Sequence, residues 1–153
     1  MSDRFFPSSA PAGSGALPDV LGRAREVFDA EISGLAAVRD GLGAEFEALV
    51  ALSLTALDGG GKLVFVGIGK SGHIGQKLAA TLSSTGSRSA FLHPVEAMHG
   101  DLGILAEQDV VLALSYSGET DELLAVLPAA KRLGAKIVAI TGNAASRLAQ
   151  WAD

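Results

Sequence analysis

Val110-Val111-Leu112-Ala113-Leu114-Ser115-Tyr116-Ser117-Gly118-Glu119-Thr120-Asp121 passes from an apolar run into a turn of hydroxyls and one glycine. A continuous apolar run of this length is expected of a strand covered on both faces. A helical pattern opens at Asp121, runs to Leu133 and is closed by Gly134. The turn therefore joins a strand to a helix. Its hydroxyls form a small cup of donors, and the helix N-terminus behind them adds free backbone N–H groups and partial positive charge. Such a cup suits a phosphate or another compact oxyanion.

Moving outward, the same pattern recurs. Lys62 to Ile68 is a second apolar run, followed by the turn Gly69-Lys70-Ser71-Gly72. The spacing of Ile74, Leu78 and Leu82 predicts a helix from about His73 to Ser84. Ser89 to Leu92 reads as a strand, and His93 to Gly103 as a long functional loop. Lys136 to Ile140 is a fourth strand, then Thr141-Gly142-Asn143 and a last helix to about Trp151. Strands alternating with helices imply βαβ units: an α/β three-layer α/β/α sandwich on a parallel sheet. With strand order 2-1-3-4, strands one and three are neighbours whose connections leave in opposite directions. The Lys70 turn and the serine turn then face each other at a switch point, where ligands bind. Lys70 supplies a cation there, and Ser71, Ser115, Ser117 and Thr120 supply hydroxyl donors.

Two helices are predicted before the first strand. Val20, Ala24, Val27, Leu35 and Val38 recur at helical steps, Gly41 and Gly43 interrupt, and Phe46, Leu49, Leu52 and Leu57 carry a second face up to Asp58-Gly59-Gly60-Gly61. Residues 1–17, rich in Ser, Pro, Gly and Ala, read as a flexible tail. Residues 18–153 form the folded domain, with helices over 18–58 and an α/β core over 62–153. After the last helix the alternation calls for another strand, so the sheet edge is expected to be covered by another chain or by a longer form of this one.

Composition limits the function. Of 153 residues 48% are hydrophobic, enough for one core, and no apolar run approaches membrane-spanning length. There is no cysteine, which excludes disulfides and thiolate metal sites. The N-terminus shows no basic segment followed by an apolar one, so a cytoplasmic, membrane-free location is expected. A net charge of −5 disfavours nucleic acid, and the sparse arginines of the first two helices do not make a DNA-reading pair.

Rival motifs are weak. Gly67-Ile68-Gly69-Lys70-Ser71-Gly72 matches the dinucleotide pattern, but the second strand ends Leu92-His93-Pro94 with no acid for a ribose. A P-loop would need glycine where Val64 stands. His93, His99 and Asp101 match no compact metal spacing, so no metal is expected. His73 is expected to cap or pack, and His93 to be held extended by Pro94. Glu119 either orients the serine turn or is solvated, and Lys77, Lys131 and Arg132 read as solvated helix charges.

At these residues the chain resembles the sugar isomerase (SIS) domains. The resemblance rests on Ser115-Tyr116-Ser117-Gly118-Glu119-Thr120. Gly69-Lys70-Ser71-Gly72-His73-Ile74-Gly75, His93-Pro94 and His99-Gly100-Asp101-Leu102-Gly103 are similar to the D-arabinose-5-phosphate isomerases. It covers roughly residues 18–153. It departs at Tyr116, where those enzymes more often carry Asn. It implies a flavodoxin-like fold and interconversion of D-ribulose 5-phosphate and D-arabinose 5-phosphate through an enediol(ate), for octulosonate and lipopolysaccharide synthesis, with no cofactor. It implies Lys70, Glu122 and His99 as catalytic groups. Ser71, Ser115, Ser117, Gly118 and Thr120 would hold the phosphate. It implies a homodimer or homotetramer. It also implies a further catalytic Glu and His, a last strand and CBS modules after Asp153, so these 153 residues alone are expected to be inactive or nearly so. The alternatives are a non-catalytic phosphosugar sensor, or another phosphosugar isomerase acting on a hexulose or heptose phosphate.

Overall fold

The computed structural model describes residues 18–153, in a unit ending at Leu42 and a unit Gly43–Asp153. The tail expected over 1–17 lies outside the described residues. The first unit contributes helix α1 (Val20–Asp40). Asp19 caps it by accepting the Gly22 N–H at 2.8 Å. It buries none of its residues, and Phe28, Ile32, Leu35 and Val38 are exposed.

The second unit opens with α2 (Ala44–Asp58) and continues as β1 (Leu63–Gly67), α3 (Gly69–Ser84), β2 (Ser89–Leu92), α4 (Pro94–Met98), a 3₁₀ turn (Asp101–Ile104), β3 (Val110–Leu114), α5 (Asp121–Arg132), β4 (Lys136–Ile140) and α6 (Arg147–Trp151). The four strands are all parallel, in the order β2-β1-β3-β4. Every residue of β1 and β3 is buried, as two-sided strands require.

Strand alternation sorts the apolar residues into two cores. Val64, Val66, Leu92, Val111, Ala113 and Ile137 meet Ala97 of α4, Leu123, Leu124 and Leu127 of α5, and Leu148 of α6. Leu63, Phe65, Val110, Leu112 and Leu114 face the other way, onto Ala56 of α2 and Ala79 of α3, with Leu49, Leu52 and Leu82. These are the three layers expected. Helices α3 and α5, which follow β1 and β3, lie on opposite faces of the sheet, so the connections diverge between these strands.

Three local readings are corrected. Helix α3 begins at Gly69, not near His73, so Lys70 and Ser71 belong to its first turn. Gly69, at φ +57°, turns the chain from strand to helix where a side chain would be strained, and the turn needs no further residues. The stretch 93–103 is not an open loop. Pro94 opens α4 at a position where its missing N–H costs nothing, and His93 Nδ1 caps the helix by accepting the Val95 N–H at 3.3 Å. His93 is extended before Pro94, as expected. Lys131 is not merely solvated, for it reaches Asp153 at 3.3 Å.

Asp153 sits against the outer edge of β4. Its backbone N–H donates to the Ile137 carbonyl, and its carboxylate accepts the Ile137 N–H, each at 2.9 Å. Partial burial works against its charge, but the Ile137 N–H and the ammonium groups of Lys131 and Lys136 outweigh that and lower its pKa below 3.8.

Candidate functional site

The serine turn and the Lys70 turn leave the sheet side by side. Gly67, the last residue of β1, is in register with Leu114, the last of β3. Neither α3 nor α5 has a side chain capping its N-terminus. Two uncapped helix ends therefore start at the same edge of adjacent strands, a setting suited to an anion.

The serine turn is folded by its own hydroxyls. Ser115, buried, accepts the Gly118 N–H at 3.1 Å and lies 2.9 Å from the Thr120 hydroxyl. Ser117 Oγ accepts the Glu119 N–H at 3.2 Å. An oxygen that accepts a backbone N–H keeps its own hydrogen to donate elsewhere, so Ser117, which is exposed, can serve a ligand. Gly118 stands at φ +70°, where a Cβ would also run into Ser146. Its carbonyl accepts the Leu148 N–H at 3.0 Å. The Tyr116 carbonyl accepts from the Gly142 N–H at 3.0 Å and the Thr141 hydroxyl at 3.2 Å, while the residue as a whole is 87% exposed.

The expected residues are brought together unequally. Ser115, Ser117, Gly118 and Thr120 share one turn, and Lys70 and Ser71 stand beside it on α3. Glu122 is the second residue of α5, just past the N-cap Thr120. His99 is the exposed C-cap of α4, and no side-chain hydrogen bond among the described residues links it to Lys70 or Glu122. Lys70 and Glu122 are likewise exposed, and neither forms an ion pair among the described residues. His73 is exposed on α3. Among the described residues no group of three His, Asp or Glu side chains is placed to hold a metal.

One part of the site was missed in the sequence. Glu119 does not simply point to water. Its carboxylate accepts the Arg147 N–H at 2.9 Å, and Arg147 Nη1 donates to Asp121 at 2.8 Å. Ser146 fills the space beneath Gly118. No local signal marks Arg147, which lies on a helix separated from the turn by α5 and β4.

A separate groove of about 510 Å³ lies between α2 and β4, lined by Phe46, Leu49, Leu52, Val138 and Ile140 among others. It contains neither Lys70 nor the serine turn.

The family model of the SIS domain matches residues 57–153, which include both turns and the whole sheet. The chain belongs to the SIS domain family. This SIS domain is 56% identical over 97 residues to the arabinose 5-phosphate isomerase KdsD of Pseudomonas aeruginosa, covering 63% of this chain and 30% of that one. It thus spans less than a third of that relative's length. A protein of E. coli CFT073, solved in complex with arabinose 5-phosphate, superposes with a TM-score of 0.81 at 41% identity, covering 88% of this chain and 70% of the other. The phosphoheptose isomerase GmhA of Neisseria gonorrhoeae, 17% identical, shares the fold with a TM-score of 0.73, covering 88% and 81%. No helix among the described residues is long and apolar enough to cross a membrane.

Proposed function

We propose that this SIS domain binds a pentose 5-phosphate and serves an aldose–ketose isomerase that interconverts D-ribulose 5-phosphate and D-arabinose 5-phosphate. The carrying observation is the register of Gly67 with Leu114, which sets Lys70 and Ser71 beside the hydroxyl turn at one sheet edge. The similarity to an arabinose 5-phosphate isomerase at 56% identity supports the substrate class.

In this proposal the phosphate lies against the turn. Ser117 and Ser71 donate hydroxyl hydrogens, the starts of α3 and α5 add partial positive charge, and Lys70 adds a full one. The reaction moves a proton between C1 and C2 of the open-chain sugar while another moves between their oxygens. Nothing is oxidised or reduced overall, so the chemistry itself calls for no redox cofactor. A carbon acid beside a carbonyl needs a base and a stabiliser of the enediolate oxygen. We assign Lys70 to the developing oxyanion, with Glu122 and His99 as candidate proton-transfer groups. Phosphate binding is the part assigned to these 153 residues, with little turnover by them alone. A role in lipopolysaccharide synthesis, and assembly as a dimer or tetramer through the apolar stripe of α1, belong to the same proposal.

Thermal shift and calorimetric titration with D-arabinose 5-phosphate test it, with unphosphorylated D-arabinose as control. The phosphosugar is expected to raise the melting temperature and the free sugar not. Lys70→Ala and Ser117→Ala are each expected to weaken binding. Unchanged binding in both variants would place the pocket elsewhere, and wild-type-like turnover by this chain would overturn the assignment of binding alone.

A further inference from the structure

Three carboxylates stand at the turn proposed to hold a phosphate, Glu119 within it and Asp121 and Glu122 at the start of α5, and the first two share one partner. Unmasked, they would repel a dianion. Arg147 meets both: its Nη1 lies 2.8 Å from Asp121 Oδ1, and its Nε lies 3.9 Å from Glu119 Oε2. Its backbone N–H also donates to Glu119 Oε1 at 2.9 Å. Glu119 in turn gives its own N–H to Ser117 Oγ, the hydroxyl left free to serve a ligand. Next to Arg147, the buried Ser146 lies under Gly118, and the Leu148 N–H holds the Gly118 carbonyl. Three consecutive residues of one chain segment therefore grip the turn from behind.

The exposure of these side chains argues against a mainly stabilising purpose. Arg147 is 57% exposed, Glu119 45% and Asp121 83%, and ion pairs in such settings contribute little to folding. What they do set is the local charge and the conformation of the turn. We infer that Arg147 is a positioning residue of the phosphate turn, neutralising Glu119 and Asp121 and holding the Glu119–Ser117 segment in its anion-accepting form. This rests on the pentose-phosphate proposal above. It also names a specific need: an acidic turn accepts a dianion better with a cation held beside its carboxylates.

The test is calorimetric titration of the 153-residue chain with D-arabinose 5-phosphate at two salt concentrations, melting temperature being read in parallel. Arg147→Ala is expected to weaken binding about three- to tenfold with little change in melting temperature, more strongly at low salt. Arg147→Lys is expected to keep most of the affinity, since the charge remains. Glu119→Gln added to Arg147→Ala is expected to restore part of it by removing a repelling carboxylate, giving a non-additive cycle. The inference is overturned if Ser117→Ala loses binding while Arg147→Ala does not. It is equally overturned if affinity falls only in step with melting temperature, or if the double variant is purely additive. Failure of the unsubstituted chain to bind at either salt would instead bring down the pentose-phosphate proposal itself, and this inference with it. Should Arg147→Ala not fold, Arg147→Lys and Glu119→Gln decide: equal affinity and equal salt dependence across both and the parent refute the role.

Discussion

The carboxylate of Asp109, 1% exposed, accepts the backbone N–H of Lys62 at 2.9 Å on one oxygen and lies 2.6 Å from its ammonium on the other. The same carboxylate also accepts the Ala106 N–H at 2.8 Å. It thus ties the start of β1 to the start of β3, at the end of the sheet opposite the serine turn. Asp109→Ala would leave two backbone N–H groups and a half-buried ammonium without their partner. A loss of about 3 kcal/mol is expected, from the cost of breaking a buried pair. Asp109→Asn, which can still accept, is expected to lose less. Denaturant unfolding of the two variants would check the order.

Gly118→Ala places a methyl group where Ser146 sits and forces φ +70° on a residue with a side chain. About 1–3 kcal/mol of destabilisation is expected. Phosphosugar affinity should fall further than stability alone explains, because the turn must shift to relieve the clash. A melting curve paired with a titration would separate the two effects.

Leu127 is wholly buried between α5 and the sheet. Leu127→Ala is expected to cost about 2–5 kcal/mol through lost burial and the cavity left behind. By contrast, Lys77→Ala on α3, where the side chain is exposed, is expected to change the unfolding of the chain by less than about 0.5 kcal/mol. Parallel chemical denaturation would show whether the two differ as stated.

Asp153 contributes a pH dependence of definite sign. Partial burial opposes its charge, but the Ile137 N–H with Lys131 and Lys136 leaves its pKa below 3.8 in the folded chain. A carboxylate with a depressed folded pKa binds its proton more tightly when unfolded, so its contribution is full above 3.8 and is lost as pH falls through the folded value. Asp153→Asn should therefore be less stable than the parent at neutral pH, the gap closing as pH falls below 3.8 and through the folded value. A gap that persisted unchanged into acid would show that the charge is not what matters.

The layers of this fold were legible because the two central strands announce themselves twice. Val110–Leu114 is continuously apolar, and its residues sort alternately to the two cores, as a strand's geometry demands. The hydroxyl turn was equally legible, since Ser115, Ser117, Gly118 and Thr120 are close in sequence and act within one turn. The boundary at His73 was misplaced because Gly69 and Gly72 read as a loop, although Gly69 alone makes the bend. The stretch 93–103 misled for a similar reason: its capping runs through His93 and Pro94 rather than through an apolar period.

By itself the sequence determined the alternation, the parallel sheet and the two strand-to-helix junctions, all consequences of short-range pattern and strand burial. Tertiary structure alone decided what surrounds those junctions. The start of α3 and the serine turn share one sheet edge through strand register, and the grip of Ser146 and Arg147 on Gly118 and Glu119 joins residues 28 positions apart. Periodicity encodes which face of an element is buried. It does not encode which distant charge will come to rest against that element's end, because that depends on how the intervening helix and strand pack.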